Sequence, residues 1–413
     1  MEKISEISRS FRLVCEPGQV ASVERLLEAE GFAFRPEPFS PYARRLVASP
    51  FPLGASLAAF FGCIYIQDRS SMLPPLALGS CAGELVLDMC ASPGSKTGFL
   101  ATLAGKDGFI LANEPNRTRL GTLLANVERS AALNVGICSH PGERLPLPDG
   151  LFDKILLDPP CSGWGTVEKN PRVTKIWTPE KARTLISLQR RLLARAARLL
   201  TSGGMLLYST CTTNYEENEA QIGYAEQELG LRRIPLAPFP GFSFEERPGG
   251  DGTLLVAGGE SKSQGFYLAL LKAPGEATKK SPVENGMSKS GSSLPPVPDL
   301  ARLPEGSLEN DGLKIRFHHA QAGRLPKEFH WRAPVIGSDK GGGFRPEPRM
   351  RSLLAQPAPG ASVVFEDARE LRNLVSGQSL QTGLKVPCAS LWWQDLPLGF
   401  SAVKNGRLAP NFR

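Results

Sequence analysis

From residue 84 to residue 212 the sequence repeats one pattern: a short apolar run, a turn, then a longer segment with apolar residues at helical spacing. The runs are residues 84–90, 109–113, 135–139, 152–157 and 205–212, each read as a strand. Between them, residues 117–132 place Leu120, Leu123, Leu124 and Val127 on one helical face. A longer helix opens at Thr178-Pro179-Glu180, which supplies a cap, a proline and an acid. It carries a stripe of Leu185, Leu188, Leu192, Ala196 and Leu199, and Ser202-Gly203-Gly204 is read as its stop. A helix over 216–229 and a strand over 265–271 follow. Repeated strand–helix units of this kind predict an α/β fold with a doubly wound parallel sheet. Ile155-Leu156-Leu157 is apolar without alternation, as in a central strand buried on both faces. Ligands bind beyond the carboxyl ends of such strands, which directs attention to Asp158, Cys161 and Cys211.

A chain of 413 residues is long enough for two or three domains. Residues 1–61 are read as a small accessory domain, with a helix over 21–31 closed by Gly31 and a proline-broken basic stretch holding Arg44 and Arg45. The core spans 62–274. Residues 275–299, rich in Pro, Ser, Gly and Lys, are read as a flexible linker. Residues 300–413 are a separate α+β unit, with strands at 314–317, 362–365 and 390–393 and a helix at 366–375.

The net charge of +7 favours a polyanionic partner. Eight cysteines without a CxxC pair, and only four histidines, fit neither a zinc ribbon nor a disulfide framework; reduced thiols in a cytosol, and no metal, are expected. The first residues carry acids rather than the apolar core of a signal peptide, and no apolar stretch approaches the roughly 18 residues of a membrane helix. A cytoplasmic monomer without a membrane partner is the expectation.

The loop after the first core strand, Cys90, Ala91, Ser92, Pro93, Gly94, Ser95 and Lys96, leads into a helix N-terminus, a natural seat for a carboxylate or phosphate. It is neither GxGxxG nor a P-loop, so a nucleotide-like cofactor without a triphosphate is the better reading; a tight structural turn is the alternative. Glu114, ending the second strand, stands where an acid holds ribose hydroxyls in this fold class, and equally fits a solvated strand end.

Asp158-Pro159-Pro160-Cys161 resembles the Asp/Asn-Pro-Pro-aromatic motif of amino-group methyltransferases, with cysteine in the aromatic slot. A thiol there suits a different task, because carbon 5 of a pyrimidine becomes nucleophilic only after a thiolate adds at carbon 6. Each cysteine alone is more readily a small buried hydrophobe. The pair, together with the cofactor loop, points to chemistry.

With these motifs, with Gln67-Asp68-Arg69-Ser70-Ser71-Met72, Asn113-Glu114, Lys169-Asn170-Pro171, Ser209-Thr210-Cys211-Thr212, Glu216-Glu217-Asn218-Glu219 and Gly265-Phe266-Tyr267 in order, the chain resembles the Sun-type family of RNA cytosine-5 methyltransferases, closest to its bacterial RsmF-like ribosomal RNA members. The resemblance implies a Rossmann-like core holding S-adenosylmethionine between residues 90 and 96, with Glu114 on the ribose. It makes Cys211 the nucleophile, Asp158 the grip on the cytosine edge and an aid to protonation at the ring nitrogen, and Cys161 the group that removes the carbon 5 proton and releases the enzyme. Asp158 also borders the cofactor. Lys169 is the nearest basic candidate by motif for lowering the Cys211 pKa. Many family members carry an acid after the third strand for the adenine amino group; here Gly142 takes that place, with Glu143 beside it. The tail resembles the family's PUA-like RNA-binding domain through Pro397-Leu398-Gly399-Phe400, Lys404 and Gly406-Arg407-Leu408, but the usual Leu-Lys-Asn is Leu408-Ala409-Pro410-Asn411. Trp392 and Trp393 are candidates for base stacking, although adjacent strand residues face opposite ways, which assigns at least one to the core. The implied partner is RNA, ribosomal RNA first. Transfer RNA, or a non-catalytic ribosome-assembly role on the same fold, are the alternatives.

Overall fold

The computed structural model describes residues 9–167, 170–276, 299–339 and 343–409. Lys169 and most of the segment read as a linker lie outside the described residues. An antiparallel sheet comes first, with β1 (Ser10–Leu13), β2 (Ala33–Glu37), β3 (Ser40–Ala48) and β4 (Ile64–Ile66) in the order β2-β3-β1-β4. Against it pack α1 (Val20–Ala29) and α2 (Leu57–Phe60), whose Leu26, Leu27 and Leu57 meet Phe11 and Leu13. The N-terminal sheet therefore extends through Ile66.

The central sheet is built from α3 (Leu73–Leu78), β5 (Leu85–Asp88), α4 (Ser95–Ala104), β6 (Phe109–Asn113), α5 (Arg117–Ser130), β7 (Val135–Cys138) and β8 (Phe152–Leu157). It continues through α6 (Val173–Ile176), α7 (Pro179–Leu199), β9 (Leu200–Thr210), α8 (Glu219–Gln227), β10 (Arg232–Ile234), β11 (Phe244–Glu245), β12 (Leu254–Val256) and β13 (Phe266–Lys272). The strands run in the order β11-β12-β13-β9-β8-β5-β6-β7, with β10 added on β13. Strands β5 to β9 are parallel, and β13 is antiparallel to β9.

Alternation along the strands loads both faces. Ile155 and Leu157 join Leu192, Leu193, Ala196 and Ile222 under α7 and α8. Leu156 and Val86 join Phe99, Leu100, Leu123 and Leu73 under α4, α5 and α3. This is the doubly wound sheet expected of the apolar runs. Because β5 lies between β6 and β8, the winding reverses there, and the crevice opens at the ends of β5 and β8.

One boundary differs from the sequence reading. Helix α7 ends at Leu199 and β9 begins at once, so Ser202-Gly203-Gly204 lies inside the strand rather than stopping the helix. Gly203 has φ +68°, and the pairing with β8 slips between Phe152 and Lys154, so the glycines accommodate an irregularity in the ladder.

Two further sheets follow. The first holds β14 (Gly306–Asn310), β15 (Ile315–His319), β16 (Val335–Asp339) and β17 (Phe344–Pro346). The second comprises β18 (Ser362–Phe365), β19 (Leu380–Gln381), β20 (Cys388–Trp393), β21 (Leu396–Lys404) and β22 (Arg407–Leu408), with α9 (Ala368–Val375) after its first strand. Both tryptophans of β20 are core, against the base-stacking reading. Trp393 packs with Leu371, Leu374, Phe11 and Leu26, while Trp392 packs with Leu133, Phe317, Met350 and Phe400. Their strand is sandwiched, so both faces are apolar.

Among the described residues no helix is long and apolar enough to cross a membrane, and no three His, Cys, Asp or Glu are grouped to hold a metal. None of the eight cysteines is in a disulfide.

Candidate active site

Strand β5 delivers Asp88 to the crevice, and the chain then turns through the cofactor-loop candidate into α4. Gly94 caps that helix at φ +100°, a conformation open to glycine, and its N–H bonds Ala91 O at 2.7 Å. The Ser92–Pro93 peptide is cis. The loop is pinned from α5: Ser92 Oγ donates to Arg119 O at 2.9 Å, Arg119 donates to Ser92 O at 2.8 Å, and Asn126 donates to Pro93 O at 2.8 Å. Ala91, Ser92 and Gly94 are buried, and Ser95 opens a helix whose first N–H groups have no intrahelical partner. Burial pushes the Cys90 thiol well above the usual range, so it is an inert wall of the loop. Glu114 sits at the end of β6, buried, with one oxygen accepting from Asn116 N at 2.8 Å and the other 3.6 Å from the Arg119 guanidinium.

The ends of β8 and β9 carry the reactive groups. Asp158 follows β8; its Oδ2 accepts from Lys96 Nζ at 2.6 Å and its Oδ1 from Ser209 Oγ at 3.0 Å. Lys96 thus turns toward Asp158, with its ammonium over the Phe266 ring at 5.1 Å. Cys161 and Cys211, 50 residues apart, bring their sulfurs to 3.3 Å. The two loops also cross at Gly165, whose N–H donates to Cys211 O at 3.0 Å; a Cβ there would stand 2.9 Å from that oxygen and 2.6 Å from Gly265 O, so only glycine fits.

Electrostatics separate the two thiols. The S–H of Cys161 holds the Cys211 sulfur below the usual thiol range; burial and Asp158 oppose this and Lys96 assists. Cys161 is raised well above that range by the same bond, then by burial, Cys211, Asp158 and Glu217. The structure therefore points to Lys96 as the cation beside Cys211 within the described residues, where the sequence motif suggested Lys169. For Lys96 itself burial works against the charge, but Asp158 outweighs it and the ammonium is raised.

Glu217, unassigned in the sequence reading, lies beneath both loops and is fully buried. It accepts from Ser162 N at 3.0 Å, Ser162 Oγ at 2.6 Å, Gln189 Nε2 at 2.9 Å and Asn214 Nδ2 at 3.0 Å. The Glu216-Glu217-Asn218-Glu219 run was the only signal for it, and spacing does not tell which acid turns inward. After β7, Gly142 packs against α7, and a Cβ there would stand 2.7 Å from Leu192 Cδ2. A side chain at this point would have to displace Leu192.

A family model described as 16S rRNA methyltransferase RsmB/F matches residues 75–272. The chain is 36% identical over 276 residues to ribosomal RNA small subunit methyltransferase F of Escherichia coli O157:H7 (strain EC4115 / EHEC), a match covering 64% of this chain and 57% of that protein. It thus spans little more than half the length of that relative. A crystallised methyltransferase homolog protein from Pyrococcus horikoshii is 32% identical with a TM-score of 0.57, over 65% of this chain and 87% of that one. The crystal structure of NSun6 from Pyrococcus horikoshii with SFG shares the fold at 20% identity, TM-score 0.58, over 67% of this chain and 93% of that one.

Proposed function

We propose, from the premise that this chain belongs to the RsmB/F family of S-adenosylmethionine-dependent methyltransferases, that it methylates carbon 5 of a cytosine in RNA, small-subunit ribosomal RNA first, through a covalent bond to Cys211. The observation that carries this reading is the pair of sulfurs 3.3 Å apart beside the Asp158–Lys96 ion pair, at the switch point of the sheet.

The residues present fit the cofactor. The N-terminus of α4 suits its carboxylate, Glu114 suits the ribose hydroxyls, and the buried loop of Ala91, Ser92 and Gly94 lets backbone approach closely. When bound, S-adenosylmethionine supplies an electrophilic methyl group.

The chain's own residues do the rest. Cys211, favoured as the thiolate by Cys161 and Lys96, forms a bond to carbon 6 and makes carbon 5 nucleophilic. Each Asp158 oxygen accepts one bond and keeps a lone pair for the cytosine edge, while Lys96 and Ser209 fix its orientation. As Cys211 bonds to carbon 6, the proton shared by the two sulfurs passes by way of Asp158 to the ring nitrogen. This leaves Cys161 as the thiolate that takes the proton from carbon 5 once that carbon has gained the methyl group. The electron pair of the broken C–H bond re-forms the ring double bond and expels Cys211. Reading the base this way requires it to leave its stack.

RNA as the partner is supported by exposed Arg172 and Lys175 on α6 and its preceding turn, and by exposed Val167, Ile176 and Tyr215 flanking the cysteine loops. Replacing Cys211 by alanine is expected to abolish methyl transfer to small-subunit ribosomal RNA; unchanged transfer removes the nucleophile assignment. Running transfer RNA in parallel decides between the two RNA classes.

A further inference from the structure

Two thiols in contact pose a problem of identity: either sulfur could hold the shared proton, and only one arrangement leaves the attacking sulfur free. The groups facing the pair are Asp158 from the end of β8, Lys96 from α4, Tyr208 from β9 and Glu217 from the turn before α8. They are not placed evenly. Glu217 bonds the backbone N–H and the hydroxyl of Ser162, the residue next to Cys161. Ser162 Oγ in turn lies 2.7 Å from Thr212 Oγ1, the residue next to Cys211. The same carboxylate holds Asn214, two residues further along the second loop, and Gln189 of α7, whose amide also donates to Pro160 O at 2.9 Å. Tyr208 closes the network by donating to Glu217 O at 2.7 Å. One fully buried acid thus joins both cysteine loops and the long helix through bonds that leave neither loop free to slide.

We propose that Glu217 is a positioning residue that docks the Cys161 loop onto the Cys211 loop and keeps the proton of the S–H···S contact on Cys161. A buried anion anchored one residue from Cys161 disfavours a second negative charge there, while the Lys96 ammonium favours one at Cys211. Glu217 touches no reacting atom; it decides which thiol attacks and which waits for the later proton. This deepens the proposed function and rests on Cys211 being the attacking thiol.

The test labels the full chain without RNA and measures turnover separately with RNA. Iodoacetamide is applied near neutral pH, and the modified cysteines are identified by peptide mass spectrometry. Wild type is expected to react at Cys211 roughly tenfold or more faster than at Cys161. Glu217→Gln keeps the shape but removes the charge, and the preference is expected to shrink severalfold, with a fall in kcat and little change in KM for RNA. Full retention of the Cys211 preference overturns the proposal. Ser162→Ala keeps the charge and removes one arm of the network; it is expected to lower kcat about tenfold while Cys211 remains the preferred site. If Glu217→Gln does not fold, Ser162→Ala decides alone, and an unchanged kcat there overturns the proposal. Failure of these results with Cys211 still essential leaves the methyl-transfer reading standing, whereas a dispensable Cys211 removes that reading itself.

Discussion

Asp88 shows how strongly a single residue in this crevice feels burial. It is fully enclosed at the end of β5, accepts a 2.6 Å bond from Thr97 Oγ1, and burial pushes its carboxyl up to about 7. An unfolded aspartate titrates near 3.9. Between those values the folded protein holds a proton that the unfolded chain has released, so this residue's contribution falls as pH rises through the window and is level above it. Asp88→Asn cannot titrate but still offers Thr97 an acceptor. Its melting temperature relative to wild type is therefore expected to climb from about pH 5 to about pH 7.5, as measured by calorimetry; a constant difference contradicts the shift. At this scale the sequence marked Asp158, Cys161 and Cys211 because strand ends carry chemistry. The partners that Lys96 and Glu217 choose depend on which way a side chain turns, and local pattern does not encode that.

At the scale of elements, the strands of the core were legible because each is a local apolar run. Residues 109–113 match β6 as read, and α5 ends within two residues of its expected stop. The boundary between α7 and β9 was not legible, because glycines that commonly end a helix here shape the ladder between β8 and β9. Likewise the stretch after β7 showed a glycine in place of an acid, but not that Leu192 of α7 packs over it. Gly142→Asp is expected to drive a Cβ against Leu192 and cost about 1–3 kcal/mol of stability, read as a lower midpoint in urea; a neutral result contradicts the close packing. Gly142→Ala separates the steric part from any burial of charge.

At the scale of the whole molecule, parts far apart in sequence share one interior. Buried Arg351, close after β17, donates to Phe61 O and Gly62 O beside the N-terminal sheet, to Val14 O, and to Arg129 O and Ser130 O at the end of α5. No sequence pattern announces such a residue, since its five acceptors are backbone carbonyls more than 200 positions away. For the same reason the burial of Trp392 and Trp393 was hidden: the surfaces that cover them come from distant segments. Arg351→Ala is expected to lose on the order of 3 kcal/mol or more in denaturant unfolding, because several buried acceptors lose a charged donor at once; a loss below about 1 kcal/mol contradicts its role as a clip. Trapping tests the proposed Cys211 adduct with RNA most directly. Cys161→Ala protein is incubated with S-adenosylmethionine and small-subunit ribosomal RNA, resolved under denaturing conditions, and the attached nucleotide mapped by mass spectrometry. The account predicts RNA bound covalently through Cys211 to a cytosine bearing the new methyl group, and no adduct when Cys211 is also replaced. Methylated RNA released freely, or an adduct on any other residue, contradicts it.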